Sequence, residues 1–253
     1  MRTIKLTLAY DGSEFSGWQI QPHQPSIQRA VMDAVEAVTG ERVQVAASGR
    51  TDAGVHALAQ VASFRTSSAI PAPNLPRALN QKLPPSVRVL AAEEAPPGFH
   101  ARFHARAKTY RYRLYRGKIC PPLLWRYVHH FPYPLDEAAM IEAAPLFEGT
   151  QDFSSMASSE GRGGVEPEEL PEKSKVRTVY SSRLEREGEE LVYTVRGSGF
   201  LHHMVRNMVG TLLEVGRGRL AARQIPEILA TRRRSAAGPA LPGKGLWLVS
   251  VEY

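Results

Sequence analysis

Arg50 and Asp52 stand two residues apart in the string Ala47-Ser48-Gly49-Arg50-Thr51-Asp52-Ala53-Gly54-Val55-His56-Ala57. A strand-like run, Val43 to Ala46, precedes it, and another, Gln60 to Phe64, follows. Gly49 and Gly54 permit positive φ or the close approach of another chain. The segment therefore reads as a tight loop that presents one cation and one anion at the end of a strand. Loops held by a rigid sheet are where catalytic groups concentrate. A cation within a few ångströms keeps a carboxylate ionised in a site closed to water. An ionised, desolvated Asp is a nucleophile or a base. The plain alternative is a surface turn with an Arg50–Asp52 ion pair, a contact that stabilises little.

Two further strings carry chemistry. Lys108-Thr109-Tyr110-Arg111-Tyr112-Arg113 interleaves aromatics with cations. Rings stack on bases and arginines pair with phosphates, so the pattern suits a nucleic-acid site as well as a strand with one core face. His202-His203-Met204-Val205-Arg206-Asn207-Met208-Val209-Gly210 falls in a long helix expected from Phe200 to Val215. Met204, Val205, Met208, Val209 and Leu212 make an apolar stripe there, and His203, Arg206, Asn207 and Gly210 a polar one. A metal site on the two histidines is rejected, because adjacent helical residues point about 100° apart and no third ligand is near in sequence. Arg232-Arg233-Arg234 reads as a solvated helix end. Leu246 and Leu248 belong to a closing strand.

The elements that must position these groups follow from periodicity. Ile4, Leu6, Leu8 and Tyr10 alternate with polar or small residues, as in a half-buried strand. Asp11-Gly12-Ser13 ends it, and Phe15-Ser16-Gly17-Trp18-Gln19 places two aromatics over the sheet or against a base. Ser26 caps a helix whose apolar face is Ile27, Ala30, Val31, Ala34, Val35 and Val38, with Gly40 as its stop. A short helix near Leu75 to Leu79 and a strand from Val87 to Ala91 complete the first half. A second half holds strands at Thr109 to Tyr115, Val176 to Val179, Leu191 to Val195 and Leu246 to Val251. Its helices lie at Leu135 to Phe147, Phe200 to Val215 and around Ile225 to Leu229. Residues 158–175 read as a long loop. The expected fold is α+β, with two RRM-like or ferredoxin-like halves, 1–104 and 105–253, whose mainly antiparallel sheets meet at a catalytic cleft.

Composition narrows the class. Hydrophobic residues make up 43% of the 253, within the globular range. The formal net charge of +7 suits a polyanionic partner. A lone cysteine, Cys120, excludes an intramolecular disulfide. The opening residues alternate rather than forming a signal-peptide core, and no run has the length of a membrane span. A soluble, cytoplasmic protein is expected.

Gly49-Arg50-Thr51-Asp52-Ala53-Gly54-Val55-His56-Ala57 resembles the signature of the TruA family of tRNA pseudouridine synthases. Tyr10-Asp11-Gly12 through Gly17-Trp18-Gln19, the Tyr110-Arg111-Tyr112 motif, the string around Arg206 and Gly245 to Val249 extend the resemblance over most of the chain. It implies an isomerase that converts uridine to pseudouridine at positions 38, 39 and 40 of the tRNA anticodon stem-loop, without cofactor or metal. It implies Asp52 as the essential carboxylate, with Arg50 serving the RNA or the gap left by the flipped base. Arg206 pairs with the carboxylate, Tyr110 stacks on the uracil, Arg111 contacts RNA, and Leu246 or Leu248 lies against the base. Asp52 adds to C6, attacks C1′ or takes the C2′ proton; the residues do not choose. The family works as a homodimer, with one tRNA spanning both protomers. The stretch from Met156 to Lys175 departs from the family in being longer and more acidic. Two rivals are a non-catalytic RNA-binding module with RRM-like halves and a metal-independent hydrolase using Asp52.

Overall fold

The computed structural model describes residues 1–158 and 174–253. In chain order the strands and helices are β1 (Arg2–Tyr10), α1 (Ile27–Thr39), β2 (Ala46–Ala47), β3 (His56–Thr66), α2 (Leu75–Asn80), β4 (Val87–Ala95), β5 (Ala107–Tyr115), β6 (His129–His130), α3 (Glu137–Ala143), β7 (Gly149–Asp152), β8 (Val176–Glu187), β9 (Glu190–Gly197), α4 (Met204–Gly216), α5 (Gln224–Thr231) and β10 (Leu246–Glu252). The fold is mixed α+β with mostly antiparallel pairing. Two compact units form, Met1–Lys108 with Trp247–Tyr253, and Thr109–Leu246. The final strand thus falls largely in the first unit, whereas the sequence boundary at 104/105 left it in the second half.

In the first unit the strand order is β4-β1-β3-β10, and β2 also pairs with β3. β1 lies antiparallel between β3 and β4, with Leu6 opposite Ala62 on one side and Ala92 on the other. β10 runs parallel to β3, Trp247 opposite His56 and Leu248 opposite Ala57. Ile4, Leu6, Leu8 and Tyr10 are all buried, as their alternation requires. A fully buried Leu or Ile side chain stabilises by roughly 1.5–3 kcal/mol, so this strand anchors the sheet. α1 is capped by Ser26, whose Oγ accepts the Arg29 amide, and stops at Gly40 in the left-handed region. It buries Ile27, Val31, Ala34 and Val35. Ala30 and Val38, placed on the same face from sequence, are half-buried.

The expected strand at Val43 to Ala46 shrinks to Ala46–Ala47. Val43 and Val45 are buried all the same. The buried side chain of Gln28 explains this: its Nε2 donates to the Val45 carbonyl (2.9 Å), and its Oε1 accepts the Ile20 amide (3.2 Å). The helix thus supplies a partner that a neighbouring strand would otherwise provide.

In the second unit the strand order is β5-β9-β8-β7, with β6 parallel to β5. β8 and β9 are joined by the turn at Gly188 and run longer than their apolar cores suggested. The helix expected from Leu135 to Phe147 is α-helical only over Glu137–Ala143. It tightens to a 3-10 turn at Ala144–Phe147, where Pro145 removes an amide donor. The expected loop at 158–175, with its acidic residues, lies almost wholly outside the described residues.

Candidate active site

The loop that carries Arg50 and Asp52 is pinned from several directions within the first unit. Ser48 is fully buried and uses all three of its polar groups. Its amide donates to the Val61 carbonyl (2.8 Å), its Oγ to Gln60 Oε1 (2.7 Å), and its carbonyl accepts Lys108 Nζ (2.5 Å). The Gly49 carbonyl accepts Gln60 Nε2 at 3.0 Å. Beyond Arg50, the Thr51 carbonyl accepts the Trp18 amide at 2.9 Å, and Thr51 Oγ1 shares a 2.8 Å hydrogen bond with the Tyr10 hydroxyl. The Val55 amide donates to the Asp52 carbonyl (3.2 Å), and the Gly54 amide to Phe15 (3.3 Å). Each such bond contributes about 1 kcal/mol net, so displacing the loop breaks several at once.

The loop exit is equally fixed. His56 is fully buried. Its Nδ1 accepts the Gly12 amide at 3.1 Å, and its ring stacks on Trp247 with centroids 4.5 Å apart. Of the aromatics at Phe15 and Trp18, Trp18 is a core plug, 2% exposed. The Gly12–Gln19 stretch therefore serves this segment through its backbone, by the Gly12 and Trp18 amides and the Phe15 carbonyl.

Within that frame Asp52 is half-buried and Arg50 exposed. The loop's shape rests on backbone and buried side-chain hydrogen bonds to which Arg50 contributes none. A surface turn defined by an Arg50–Asp52 ion pair does not describe it. Leu248, on β10 beside β3, is fully buried.

The second unit holds the other sequence-identified residues. Tyr110 on β5 is buried, 7% exposed, with its ring edge-on to Phe200 at 5.1 Å. Arg111 is exposed. Arg113 forms a two-bond ion pair with Glu190, Nε to Oε2 at 2.7 Å and Nη2 to Oε1 at 2.6 Å. Tyr112 is fully buried and donates to the Pro242 carbonyl at 2.8 Å. Burial pushes its phenol well above the ordinary range, an effect that nearby Arg206 partly offsets. Leu246 is buried at the start of β10.

The helix around Arg206 differs from its sequence reading in two ways. It begins at Met204, because His203 adopts a left-handed conformation (φ 59°). His202 and His203 therefore precede the helix, and their rings stack at 3.8 Å. The two rings are therefore not splayed by the 100° that separates neighbours on a helix. The apolar stripe of α4 is buried as expected, but the polar stripe is no solvated face. Asn207 and Gly210 are both buried. A β-carbon at Gly210 would lie 1.8 Å from the Pro239 carbonyl oxygen, so the segment 234–241 packs directly on the helix backbone. Asn207 Nδ2 donates to the Met156 carbonyl (2.7 Å), and Asn207 Oδ1 accepts from Arg234 (2.8 Å). Arg206 Nε donates to the Leu241 carbonyl at 2.5 Å. Arg234 is thus a structural member of the basic run, while Arg232 meets Asp152 at 3.2 Å.

The profile of the tRNA pseudouridine synthase family matches residues 7–104 and 143–253, which include the Asp52 loop and the Arg206 helix. The chain belongs to the tRNA pseudouridine synthase family. Among curated relatives, tRNA pseudouridine synthase A of Solibacter usitatus is 53% identical over the whole of both chains. The proteins of the same name from Moorella thermoacetica and Caldicellulosiruptor bescii are 44% and 43% identical, again over the full length of both.

The residues that support the Asp52 loop stand out less in the sequence than its charged residues do. By pattern Gln60 and Tyr10 are strand positions and Gln28 a helix position, and Lys108 belongs to the string of aromatics and cations suited to nucleic acid. A signal existed for Gln60: a glutamine set between Ala57-Leu58-Ala59 and Val61-Ala62, where burial is costly unless every polar atom is matched.

Proposed function

We propose that this member of the tRNA pseudouridine synthase family isomerises uridine to pseudouridine at positions 38, 39 and 40 of the tRNA anticodon stem-loop, with Asp52 as the essential carboxylate. The reaction breaks the N1–C1′ bond, turns the uracil and joins C5 to C1′. Nothing is oxidised or added, so the chemistry calls for no cofactor or metal. The observation that carries the reading is the Asp52 loop, a half-buried carboxylate whose backbone is pinned on both sides. Such rigidity suits a group that must meet one atom of an extruded base.

In this reading a stem uridine is flipped out, at a cost of a few kcal/mol. Tyr110 stacks on it, an interaction worth roughly 1–3 kcal/mol. Arg206 balances the carboxylate, Arg50 and Arg111 serve the RNA, and Leu246 or Leu248 supports the base. The protein works in the cytoplasm as a homodimer, one tRNA spanning both protomers. A module that only bound RNA would have no use for the pinned carboxylate. Unmodified tRNA incubated with the protein alone should give a product of unchanged mass, and the same tRNA labelled with tritium at uracil C5 should release the label to water. Free uracil would instead mark a hydrolase, and unaltered tRNA a binding module.

A further inference from the structure

Gln60 is 0% exposed, and its amide fills all four of its hydrogen-bonding roles. Oε1 accepts the Ser48 hydroxyl (2.7 Å) and the Val61 amide (3.2 Å). Nε2 donates to the Gly49 carbonyl (3.0 Å) and to the Tyr10 hydroxyl (3.3 Å). The two backbone partners fix the orientation of the amide, since Val61 N–H must meet an oxygen and Gly49 C=O a nitrogen. Tyr10, having accepted from Gln60, has its own proton left for Thr51 Oγ1, 2.8 Å away. Burial pushes the Tyr10 phenol up to about 12, so it remains a neutral donor.

One side chain therefore reaches both flanks of the catalytic loop. It holds Gly49 directly and Thr51 through Tyr10, and Asp52 is the next residue in the chain. A leucine here would complete the apolar core of β3 at lower desolvation cost. A buried, fully satisfied polar hub instead fixes a unique geometry.

We propose that Gln60 is the positioning residue for the Asp52 carboxylate, acting through Gly49 on one side and through Tyr10 and Thr51 on the other. This rests on the proposed uridine isomerisation. Gln60 does not touch RNA; it sets where the carboxylate meets it. Its loss should slow the chemical step while leaving tRNA affinity alone.

Two variants test this in the full chain with unmodified tRNA. Gln60→Glu keeps the shape but sets an oxygen against the Gly49 carbonyl. Tyr10→Phe keeps the ring and removes only the relay to Thr51. For both, single-turnover pseudouridine formation should fall at least tenfold, while the Kd for tRNA stays within twofold of wild type. A rate within twofold of wild type in a folded variant, even with a lowered melting midpoint, would overturn the assignment and leave a purely structural role. Affinity falling in step with rate would overturn it too. Should Gln60→Glu fail to fold, Tyr10→Phe decides by the same criteria. An inactive wild-type chain would remove the parent reading and this one together; an active wild type with unchanged variants removes this one alone.

Discussion

Gly17 faces the carbonyl of Thr51 so closely that a β-carbon there would lie 2.4 Å from the oxygen. Its φ of +96° also lies where L side chains are strained. The neighbouring Trp18 amide donates to that same carbonyl, so the approach is what holds the loop from below. Gly17→Ala should therefore destabilise by about 1–3 kcal/mol and move the Asp52 loop. Thermal melts should show the loss of stability. Activity measured well below the melting point should also drop, because the displaced segment is the one next to Asp52. A variant that melts and turns over like wild type would show that the loop tolerates an open gap there.

The two arginines of β5 should behave differently in RNA binding. Arg111 is exposed, whereas Arg113 is committed to Glu190. Arg111→Ala should lower tRNA affinity and reduce the slope of log K against log salt by about one. Arg113→Ala should leave that slope nearly unchanged and instead lower the melting temperature, because it strands the Glu190 carboxylate, 14% exposed. Affinity titrations over a salt series on both variants decide it; equal slope changes would contradict the distinction.

His129 gives a pH prediction. Burial, helped by the positive fields of Lys244 and His130, lowers its pKa from 6.5 to about 4. Between these values the unfolded chain holds a proton that the native chain refuses, so stability falls as pH drops from 6.5 towards 4. Above 6.5 both forms are neutral and this contribution is fully present. His129→Gln cannot titrate, so its melting temperature should depend less on pH across that window. Identical slopes for wild type and variant would remove His129 from the account.

Periodicity reached the elements whose burial pattern is simple. The alternation of β1 and the apolar faces of α1 and α4 follow from period-2 and period-3.6 spacing, and the structure buries them. What it could not reach was decided by single side chains acting over long sequence distances. Val43 to Val45 has strand composition, yet Gln28 takes its carbonyl. Phe200 to His203 has helical composition, yet the left-handed His203 delays the start to Met204. Arg234 reads as part of a solvated helix end and Asn207 as part of a polar stripe, yet the two are paired with each other. The same holds at the Asp52 loop. Arg50 and Asp52 declare themselves by type and setting, but Gln60 and Tyr10 act as partners, and partnership is visible only in three dimensions.

Asp52→Asn is the substitution on which the proposed function stands. The amide is close to isosteric with the carboxylate. The loop's support comes from Gln60, Tyr10, Lys108 and the backbone around Gly17, so the fold should survive. What disappears is the negative charge, and with it the nucleophile or base in each of the three candidate steps. Removing an anion from beside a polyanionic ligand should hold or strengthen tRNA binding. Single-turnover pseudouridine formation should fall by about 10²–10⁴-fold or more. A structural role for Asp52 would give the reverse, a lowered melting temperature with turnover largely kept. Affinity, rate and melting curve measured on one preparation separate these outcomes. Substantial pseudouridine formation by a folded Asp52→Asn chain would falsify Asp52 as the catalytic group, whatever its binding did.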